Sequence, residues 1–296
     1  HSFEEALDWD FSGKLSLYST NETEKALTYT PRGFLESLGN NQYEFDFNKR
    51  GTGIRTKEPH SYVPKDGLDA FGRITKETCH GKYYSTAYDD MGQTKSQNQR
   101  QFEWDPWGRL LKVTDSFSVW EVSYDALGRR LQTRQTQRLN SPMTKTFFYD
   151  PEEEFQEIGV QTDHEVFWKF YGPDACDAVQ SSNGETVYLS RNAFGELTAV
   201  IGLEKTVYNQ NTLQPYGPQT TASSNNMLSY AYSLNWHSKS PDATGLIWMG
   251  ARYYDPQGGR FLSPDPAGYP ICLDLYHYAN GDPVNNYDPD GRLSIE

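Results

Sequence analysis

The residues with the plainest capacity for chemistry in this chain are aspartates that precede proline. Two carboxylates held close together cannot both ionise cheaply, so one pKa rises while the other stays low. Such a pair can activate a water molecule with one member and protonate a carbonyl oxygen with the other. Asp-Pro steps also build ordinary turns, and both interpretations stay open here. The Asp-Pro bonds follow Asp105, Asp150, Asp255, Asp265, Asp282 and Asp288, so four of the six crowd between residues 255 and 289.

The other reactive side chains predict no metal and no cofactor. The cysteines, Cys79, Cys176 and Cys272, are odd in number and widely spaced, which does not make a disulfide framework. Cys79 precedes His80, but no second Cys/His pair stands at ligand spacing. The chain also lacks a Gly-x-Ser-x-Gly elbow, a phosphate loop and a His-Glu-x-x-His pair.

A repeated heptapeptide must position the aspartates. Its clearest copy, Tyr124–Arg130, consists of an aromatic residue, Asp, two variable residues, Gly and a tail that suits a strand. Neighbouring copies recur at intervals of roughly 16 to 21 residues. Other copies lie at 9–15, 29–35, 68–74, 88–92, 104–110 and 191–197.

Each copy predicts the tip of a β-hairpin. The aromatic residue suits a strand end, Asp can bond a backbone amide two residues on, and Gly supplies the positive φ of a tight turn. A period of about 20 residues leaves room for one hairpin, which cannot bury a face alone. Hairpins stacked in series predict a long antiparallel sheet and an all-β fold.

Composition excludes several classes of function. The net charge is -13 and the isoelectric point is near 4.9, which argues against binding of nucleic acid or of an anionic membrane. No apolar run approaches the roughly 20 residues that span a bilayer. Mean hydropathy is -0.80, yet 15% of the residues are aromatic, too many for a disordered chain. We therefore predict sheets that are wet on at least one face.

Three stretches follow one another along the chain. Residues 1 to about 150 carry the clearest repeats, with an irregular insertion at Phe45–Ile54. The repeats degenerate between 151 and about 235, although Val166–Tyr171 and Thr186–Leu189 still predict strands. We accordingly divide the chain into a sheet region, 1–235, and a C-terminal segment, 236–296. No long helix is predicted, and a short one is expected near Leu273–Tyr278.

The C-terminal segment resembles the core of the YD-repeat, or RHS (rearrangement hotspot), proteins. The long and specific run Gly245–Pro266 carries the resemblance, and it includes Ala251-Arg252-Tyr253-Tyr254-Asp255-Pro256 and Arg260-Phe261-Leu262-Ser263-Pro264-Asp265-Pro266. The segment 274–291, which includes Tyr276-His277-Tyr278-Ala279-Asn280-Gly281-Asp282-Pro283, resembles the closing part of that core. With the repeats, the resemblance covers nearly the whole chain.

The resemblance implies a shell. Members of the family form a spiral antiparallel sheet that closes into a hollow shell, and this chain would supply part of its wall. In bacterial polymorphic toxins, and in the C component of insecticidal toxin complexes, the shell encloses a C-terminal toxin. The implied partners are the N-terminal remainder of the shell, the toxin, and components of a secretion system or toxin complex. The implied location is that of a secreted or delivered bacterial effector, cytoplasmic before export.

The resemblance also implies self-cleavage. In toxin-type relatives an aspartyl-protease-like pair of carboxylates cuts the chain near the last Asp-Pro-x-Gly motif. Carried onto this sequence, the pair is Asp265 and Asp288, and Arg252 is the supporting cation. The cleavage region is then Gly291, Arg292 and Leu293, where Arg292 departs from the apolar residue that such relatives usually carry. The activity would be at most that of a single-turnover aspartic autoprotease. Because the chain starts at His1 without a signal peptide, we expect a fragment or processed product.

The alternative is a structural or recognition module without catalysis. Teneurins carry a related extracellular shell that works in cell adhesion, and aromatic strand faces can bind glycans. The chain has 21 Tyr and 7 Trp, although the repeat itself requires an aromatic residue at one position. Aromatic side chains facing solvent would favour recognition, and aromatic side chains facing the sheet interior would favour encapsulation.

Overall fold

The structure, a computed structural model, divides into two compact units. Unit 1 comprises His1–Asn98 and Gly258–Glu296, and unit 2 comprises Gln99–Gln257. The residues described are 4–21, 23–47, 53–58, 61–64, 66–79, 81–173, 175–203, 206–208, 213–218, 227–268 and 274–292. The sequence division at 235/236 is a different partition, and it stays a prediction.

The heptapeptide forms the hairpin tip that its residue types predict. In the copy at 124–130, one carboxylate oxygen of Asp125 accepts hydrogen bonds from the amides of Leu127 and Arg129, each at 2.9 Å. The Asp125 amide bonds the Arg129 carbonyl, and the Gly128 amide bonds the Asp125 carbonyl. Gly128 has a φ of 82°, a conformation that side chains other than glycine resist. The same carboxylate contacts recur at Asp10, Asp69, Asp89 and Asp105.

Where the motif begins with tyrosine, the hydroxyl ties the hairpin to the strand before it. The Tyr124 hydroxyl donates to the carbonyl of Leu110, fourteen residues earlier, at 2.6 Å. Three other tyrosines make the same bond to the residue fourteen positions earlier, at 2.7 to 2.9 Å. They are Tyr29, Tyr88 and Tyr171. The hydroxyl explains why the motif carries tyrosine where phenylalanine would fill the same space.

The basic residue after the glycine completes the repeat. Arg109 pairs with Asp105 of its own turn at 2.6 Å and lies over the ring of Tyr124 in the next repeat at 4.8 Å. Arg73 pairs with Asp69 at 2.7 Å and lies over Tyr88 at 4.5 Å in the same way. Where a repeat carries arginine after its glycine, as at 73 and 109, that cation is covered by the tyrosine of the following repeat.

Unit 1 contains two antiparallel meanders, in which each strand pairs with the next. The first meander contains β1 to β5 and the second β6 to β11. The bounds are β1 Glu5–Trp9, β2 Leu15–Thr20, β3 Glu24–Tyr29, β4 Leu35–Leu38, β5 Asn41–Gln42, β6 Glu44–Phe47, β7 Gly53–Glu58, β8 Ser61–Tyr62, β9 Lys76–Cys79, β10 Lys82–Tyr88 and β11 Thr94–Gln97.

Unit 2 is built on one long antiparallel meander, β12 to β22, in which each strand again pairs with the next. One helix, α1 (Met227–Ser233), and two short strands, β23 (Ile247–Trp248) and β24 (Tyr253–Asp255), follow. The bounds of the meander are β12 Arg100–Trp104, β13 Leu110–Thr114, β14 Ser118–Tyr124, β15 Arg130–Gln137, β16 Met143–Tyr149, β17 Glu157–Gln161, β18 Val166–Tyr171, β19 Cys176–Ser181, β20 Thr186–Arg191, β21 Leu197–Ile201 and β22 Thr206–Tyr208.

The main core of unit 2 lies between one face of the meander and helix α1. Phe167, Val179 and Val200 on the strands pack with Tyr230 and Ala231 on the helix, and all are buried. Tyr230 stacks on Phe167 at 4.8 Å between ring centres, nearly parallel. The opposite face of these strands carries exposed side chains, so the sheet is wet on one side as the composition predicts.

Several local predictions can now be compared with the structure. The strands at Val166–Tyr171 and Thr186–Leu189 are confirmed as β18 and β20, and parts of the Phe45–Ile54 insertion lie in β6 and β7. The helix expected near Leu273–Tyr278 is wrong over the described residues 274–278, where the chain turns. A short 3-10 helix, Ala279–Gly281, follows instead. Helix α1 was not predicted, because it has only about two turns and lies in a stretch, 208–232, that is rich in polar residues.

Candidate functional site

Asp265, one of the two proposed catalytic carboxylates, belongs to unit 1 and sits at a turn. Its carboxylate accepts a hydrogen bond from the amide of Ala267 at 2.8 Å, and its carbonyl accepts one from Gly268 at 3.0 Å. Its own amide donates to the carbonyl of Leu275 at 2.9 Å, which ties the turn to the closing part of the C-terminal segment. The side chain is partly exposed, so water can reach it.

Asp288, the second carboxylate, also belongs to unit 1 but is buried, with 1% of its surface exposed. One carboxylate oxygen accepts hydrogen bonds from the amides of Gly291 at 2.8 Å and Arg292 at 3.2 Å. The Arg292 amide belongs to the Gly291–Arg292 peptide bond, and both amides lie in the proposed cleavage region. Asp288 therefore holds the backbone at which the sequence analysis expects the cut.

The repeat turns give a reference for these contacts. Asp105 also precedes proline, is 8% exposed and accepts two backbone amides, and it pairs with the arginine of its own turn. Around Asp288 the corresponding arginine, Arg292, faces another acid, Asp290, at 3.8 Å. Turn formation thus accounts for part of the Asp288 geometry, and the different pairing of Arg292 distinguishes it from a repeat turn.

The remaining proposed residues divide between the two units. Arg252, the proposed supporting cation, is buried in unit 2 just before β24, and its carbonyl accepts the Met249 amide at 3.0 Å. In unit 1, Gly291 is buried with a φ of 76° and Arg292 is exposed. Leu293 lies outside the described residues.

Sequence reasoning missed a buried chain of charges in unit 2. Arg130 bonds Asp242 at 3.0 Å and Glu157 at 3.1 Å, and Glu157 in turn bonds Lys169 at 2.7 Å. Arg130, Lys169 and Asp242 are each at most 7% exposed. Burial raises the pKa of the Asp242 carboxyl. Burial also acts to raise the pKa of Glu157, but the neighbouring Lys169 and Arg130 hold it below its usual value.

Signals for this chain of charges exist in the sequence. Lys169 and Asp242 each lie between two apolar residues, whereas Arg130 and Glu157 each follow a polar one. Successive residues of a strand face opposite sides of the sheet. Trp168 and Phe170 face solvent, so Lys169, which lies between them, faces the buried side. Alternation along a strand can identify a buried charged residue such as Lys169. It cannot show that Arg130 pairs with Asp242, 112 positions away.

No metal centre emerges among the described residues, since no group of three His, Cys, Asp or Glu side chains is placed to hold an ion. Cys176 is a free thiol with no exposed surface, and burial raises its pKa, so it is protonated and unreactive. Cys272 and His80 lie outside the described residues, as does the side chain of Cys79. In the described ranges, no helix has the length and apolarity that a membrane crossing requires.

Closing contacts in unit 1 bind the C-terminal segment to the repeats. Asp282 pairs with Lys14, the basic residue that follows the glycine of the first repeat turn. The Asn285 side chain accepts the Leu15 amide at 3.0 Å and donates to the Tyr29 hydroxyl at 2.9 Å. Arg260 pairs with Glu77 at 2.9 Å. These polar contacts join the C-terminal segment to residues of both meanders of unit 1.

The fold and these contacts define an all-β repeat protein whose C-terminal segment docks on its own hairpins. The chain belongs to the teneurin YD-shell family, whose model matches residues 2–284. The predicted resemblance and fold class, YD-repeat hairpins in the antiparallel sheet of an RHS shell wall, are thereby confirmed.

Individual relatives agree with that assignment. The chain is 28% identical over 263 residues to the tRNA3(Ser)-specific nuclease WapA of Bacillus spizizenii, covering 85% of this chain and 11% of that protein. It is 35% identical over 111 residues to the toxin subunit YenC2 of Yersinia entomophaga, covering 36% of this chain and 11% of that one. The crystal structure of TcdB2-TccC3 matches with a TM-score of 0.68 at 19% identity, over 98% of this chain and 17% of that chain. The chain thus spans about a tenth of these curated relatives.

Proposed function

We propose that this chain is the C-terminal part of an RHS shell that encloses a toxic C-terminal cargo and releases it by self-cleavage. The similarity to a nuclease and to a toxin subunit, each much longer than this chain, supports a role as one part of a toxin. The N-terminal remainder of the shell and the enclosed toxin are the proposed partners, with other toxin-complex or secretion components around them. The proposed location is that of a secreted or delivered effector.

The single observation that carries the cleavage proposal is the contact between Asp288 and the backbone of Gly291 and Arg292. A buried carboxylate that holds two successive amides fixes the peptide between them, and fixed geometry replaces much of the entropic cost of a bimolecular reaction. Asp265, which is partly exposed, is then the carboxylate that water reaches. We assign Asp265 as the base and Asp288, in its protonated form, as the acid.

The step balances with water as the only co-reactant. Asp265 takes a proton from water as the water oxygen bonds to the scissile carbonyl carbon, while Asp288 donates its proton to the carbonyl oxygen. As the C–N bond of the tetrahedral intermediate breaks, Asp265 gives the proton it took from water to the leaving nitrogen, and Asp288 takes a proton back from a hydroxyl of the intermediate, which leaves a new carboxyl group. Arg252 is proposed, on the resemblance alone, to stabilise negative charge in this reaction. The chain that acts is also the chain that is cut, so the reaction ends after one turnover.

Intact-mass analysis under denaturing conditions tests the proposal. The longest natural reading frame that contains this chain is expressed as wild type and as Asp265→Asn, Asp288→Asn and Asp105→Asn. Asp105→Asn is the matched control, because Asp105 precedes proline and accepts two backbone amides. We expect a wild-type break between Gly291 and a few residues past Glu296, lost in the first two variants and kept in the control. An uncut wild type, or a break that survives both substitutions, would overturn the proposal.

A second candidate function is recognition at a surface, and one observation favours it. Trp168 and Phe170 on β18 and Tyr188 on β20 are exposed on the face of the meander opposite helix α1. Tyr88, Tyr124 and Tyr171, by contrast, are partly buried and bond backbone carbonyls of the sheet. Exposed aromatic side chains outside the motif suit a module that binds a partner. The test of this candidate is to compare how strongly the wild type and a Trp168→Ala variant bind a partner protein or glycan.

A further inference from the structure

We propose that the exposed face of strands β17 to β20 is a binding site for a neutral, β-linked oligosaccharide. The inference gives a ligand class to the recognition function named above, and it rests on that second candidate and not on cleavage. Three observations support it: the strand register aligns the exposed aromatic side chains, Gly159 lies beneath Trp168, and the aligned residues carry no charge.

Strand register places the exposed aromatic residues in two adjacent rows. One row runs Gly159, Trp168, Gln180 and Thr186, and the other runs Phe170, Ala178 and Tyr188, as the cross-strand pairs show. Trp168 and Phe170 are two positions apart on one strand, so the rows lie side by side on one face. Trp168, Phe170 and Tyr188 are 37%, 51% and 60% exposed.

Gly159 lets the indole of Trp168 lie down on the sheet. A Cβ atom at residue 159 would lie 2.7 Å from Cε3 and 2.8 Å from Cζ3 of Trp168. The six-membered ring therefore occupies the space that any other side chain at 159 would fill. Phe148 supports the indole from the next strand, at 5.3 Å between ring centres. A large aromatic surface is thus held in a fixed place on the outside of a strand, where it costs little further ordering when a ligand binds.

The second row forms a slot. Phe170 and Tyr188 are both paired with Ala178, one strand to either side of it. Two strand spacings amount to about 9.5 Å. The side chain of Ala178, between them in the row, is only a methyl group, and a spacing of about 9.5 Å between the outer strands is enough for one sugar ring between two aromatic rings. Pyranose rings present C–H groups on their faces, which pack against aromatic faces.

The polar groups of the site are neutral hydrogen-bonding groups. Nε2 of Gln180 donates to Oγ1 of Thr186 at 3.0 Å, which leaves the Gln180 carbonyl oxygen and the Thr186 hydroxyl proton for a ligand. None of the residues in the two rows is charged, in a chain with a net charge of -13. Sugar hydroxyls both donate and accept hydrogen bonds. An anionic glycan, a nucleic acid or an acidic peptide gains no ion pair here and meets the repulsion of the chain's net charge.

A flat aromatic surface of this kind favours β-linked chains, since these extend as ribbons that show successive sugar faces. Affinity for such a shallow site is expected in the range of weak sugar binding, with Kd on the order of 0.1 to 1 mM. The probes are therefore cellohexaose and N-acetylchitohexaose, with a heparin-derived hexasaccharide as the anionic comparison. Isothermal titration calorimetry of the protein encoded by the longest natural reading frame measures its affinity for all three probes.

Three variants make the test specific. We expect Trp168→Ala to weaken binding of a neutral probe at least tenfold. Gly159→Val retains every aromatic residue but displaces the indole, and we expect at least a fivefold loss. Trp107→Ala is the matched control, because Trp107 is 79% exposed in the same unit and belongs to a repeat turn; binding should stay within twofold.

Two results would overturn the inference. One is the absence of binding by both neutral probes, and the other is equal binding by wild type and Trp168→Ala. Stronger binding of the heparin hexasaccharide than of either neutral probe would count against it in the same way. The mass of each preparation reports self-cleavage independently, so a failure of the sugar site is distinguishable from a failure of the cleavage proposal.

Discussion

Asp242 directs both carboxylate oxygens at one nitrogen of Arg130, at 3.0 Å each, across 112 residues of sequence. The backbone around Asp242 is nevertheless that of a repeat turn: its amide bonds the Leu246 carbonyl, and the Gly245 amide bonds its carbonyl. In repeat turns the Asp carboxylate caps the amide four residues on. Here the hydroxyl of Thr244 accepts the Leu246 amide at 3.3 Å, so the carboxylate is available to Arg130. The turn at Asp242 thus has the backbone of a repeat turn, but its carboxylate binds Arg130 instead of the backbone amide four residues on.

Substituting Asp242→Asn tests whether this pair holds the segment on the sheet. Removing one member of a buried ion pair leaves an uncompensated charge, and we expect a loss of about 3–5 kcal/mol in the free energy of unfolding. The control is Glu103→Gln, which removes an exposed pair with Lys112 at 3.4 Å and should change stability by less than about 1 kcal/mol. Urea unfolding measures both. Equal effects of the two substitutions would contradict the assignment.

Substituting Tyr124→Phe tests the bond between neighbouring repeats. The variant removes one hydroxyl and leaves the Leu110 carbonyl, which it bonds at 2.6 Å, without that donor. We expect a loss of about 1–2 kcal/mol. Tyr188→Phe is the matched control, because that hydroxyl is on a side chain that is 60% exposed, and it should have almost no effect. Thermal unfolding compares the two, and a smaller effect at 124 than at 188 would contradict the prediction.

His237 makes stability depend on pH. Burial, with the nearby cations Arg191 and Lys239, lowers its pKa from 6.5 to about 3. Between those values the unfolded chain binds a proton that the folded chain excludes, so stability rises with pH. The contribution of His237 is complete above about pH 6.5 and is lost as pH falls toward 3, by at most about 1.4 kcal/mol per pH unit.

The measurement is the free energy of unfolding at several pH values, for wild type and for His237→Gln. The glutamine does not titrate, so the difference between the two curves reports the histidine. We expect that difference to shift between pH 6.5 and 3 and to be flat above pH 7. A pH-independent difference would mean that the ring titrates equally in the folded and unfolded chain.

Substituting Gly281→Ala tests how closely the closing segment packs against the first meander. A Cβ at this residue would lie 2.0 Å from Cδ1 of Phe34, and φ is 78°. We expect Gly281→Ala to raise amide exchange in the closing segment, with a stability loss above that of Gly13→Ala. Gly13 has a φ of 80° with open space around it, so the control carries the backbone strain without the clash. Equal exchange in the two variants would contradict the fit.

Much of the fold follows from the sequence because the repeat is local. The contacts of Asp125 reach only four residues, and that of Tyr124 reaches fourteen. Residue types and spacing are enough to predict such contacts. The bonds of Arg130 to Asp242 and of Lys14 to Asp282 join residues 112 and 268 apart, and no period in the sequence marks their partners.

The candidate site shows the same limit. The motif that contains Asp288 is visible in the sequence, and so is its use as a turn. Its burial and its hold on the Gly291 and Arg292 amides depend on how the closing segment packs in unit 1. The flat packing of the Trp168 indole depends likewise on the strand register that places Gly159 opposite it. That register cannot be predicted from a single glycine in a degenerate repeat.

The fourteen-residue reach of the tyrosine bond also bears on synthesis of the chain. Contacts between residues close in sequence form early and at low entropic cost, and a chain emerging from the ribosome can make them as it lengthens. Each hairpin that carries such a tyrosine can therefore bond to its predecessor during translation. The partners Asp242 and Asp282 emerge only after Arg130 and Lys14 have long been in place. We expect the wall to be assembled hairpin by hairpin and the C-terminal segment to dock last, on a surface that is already complete.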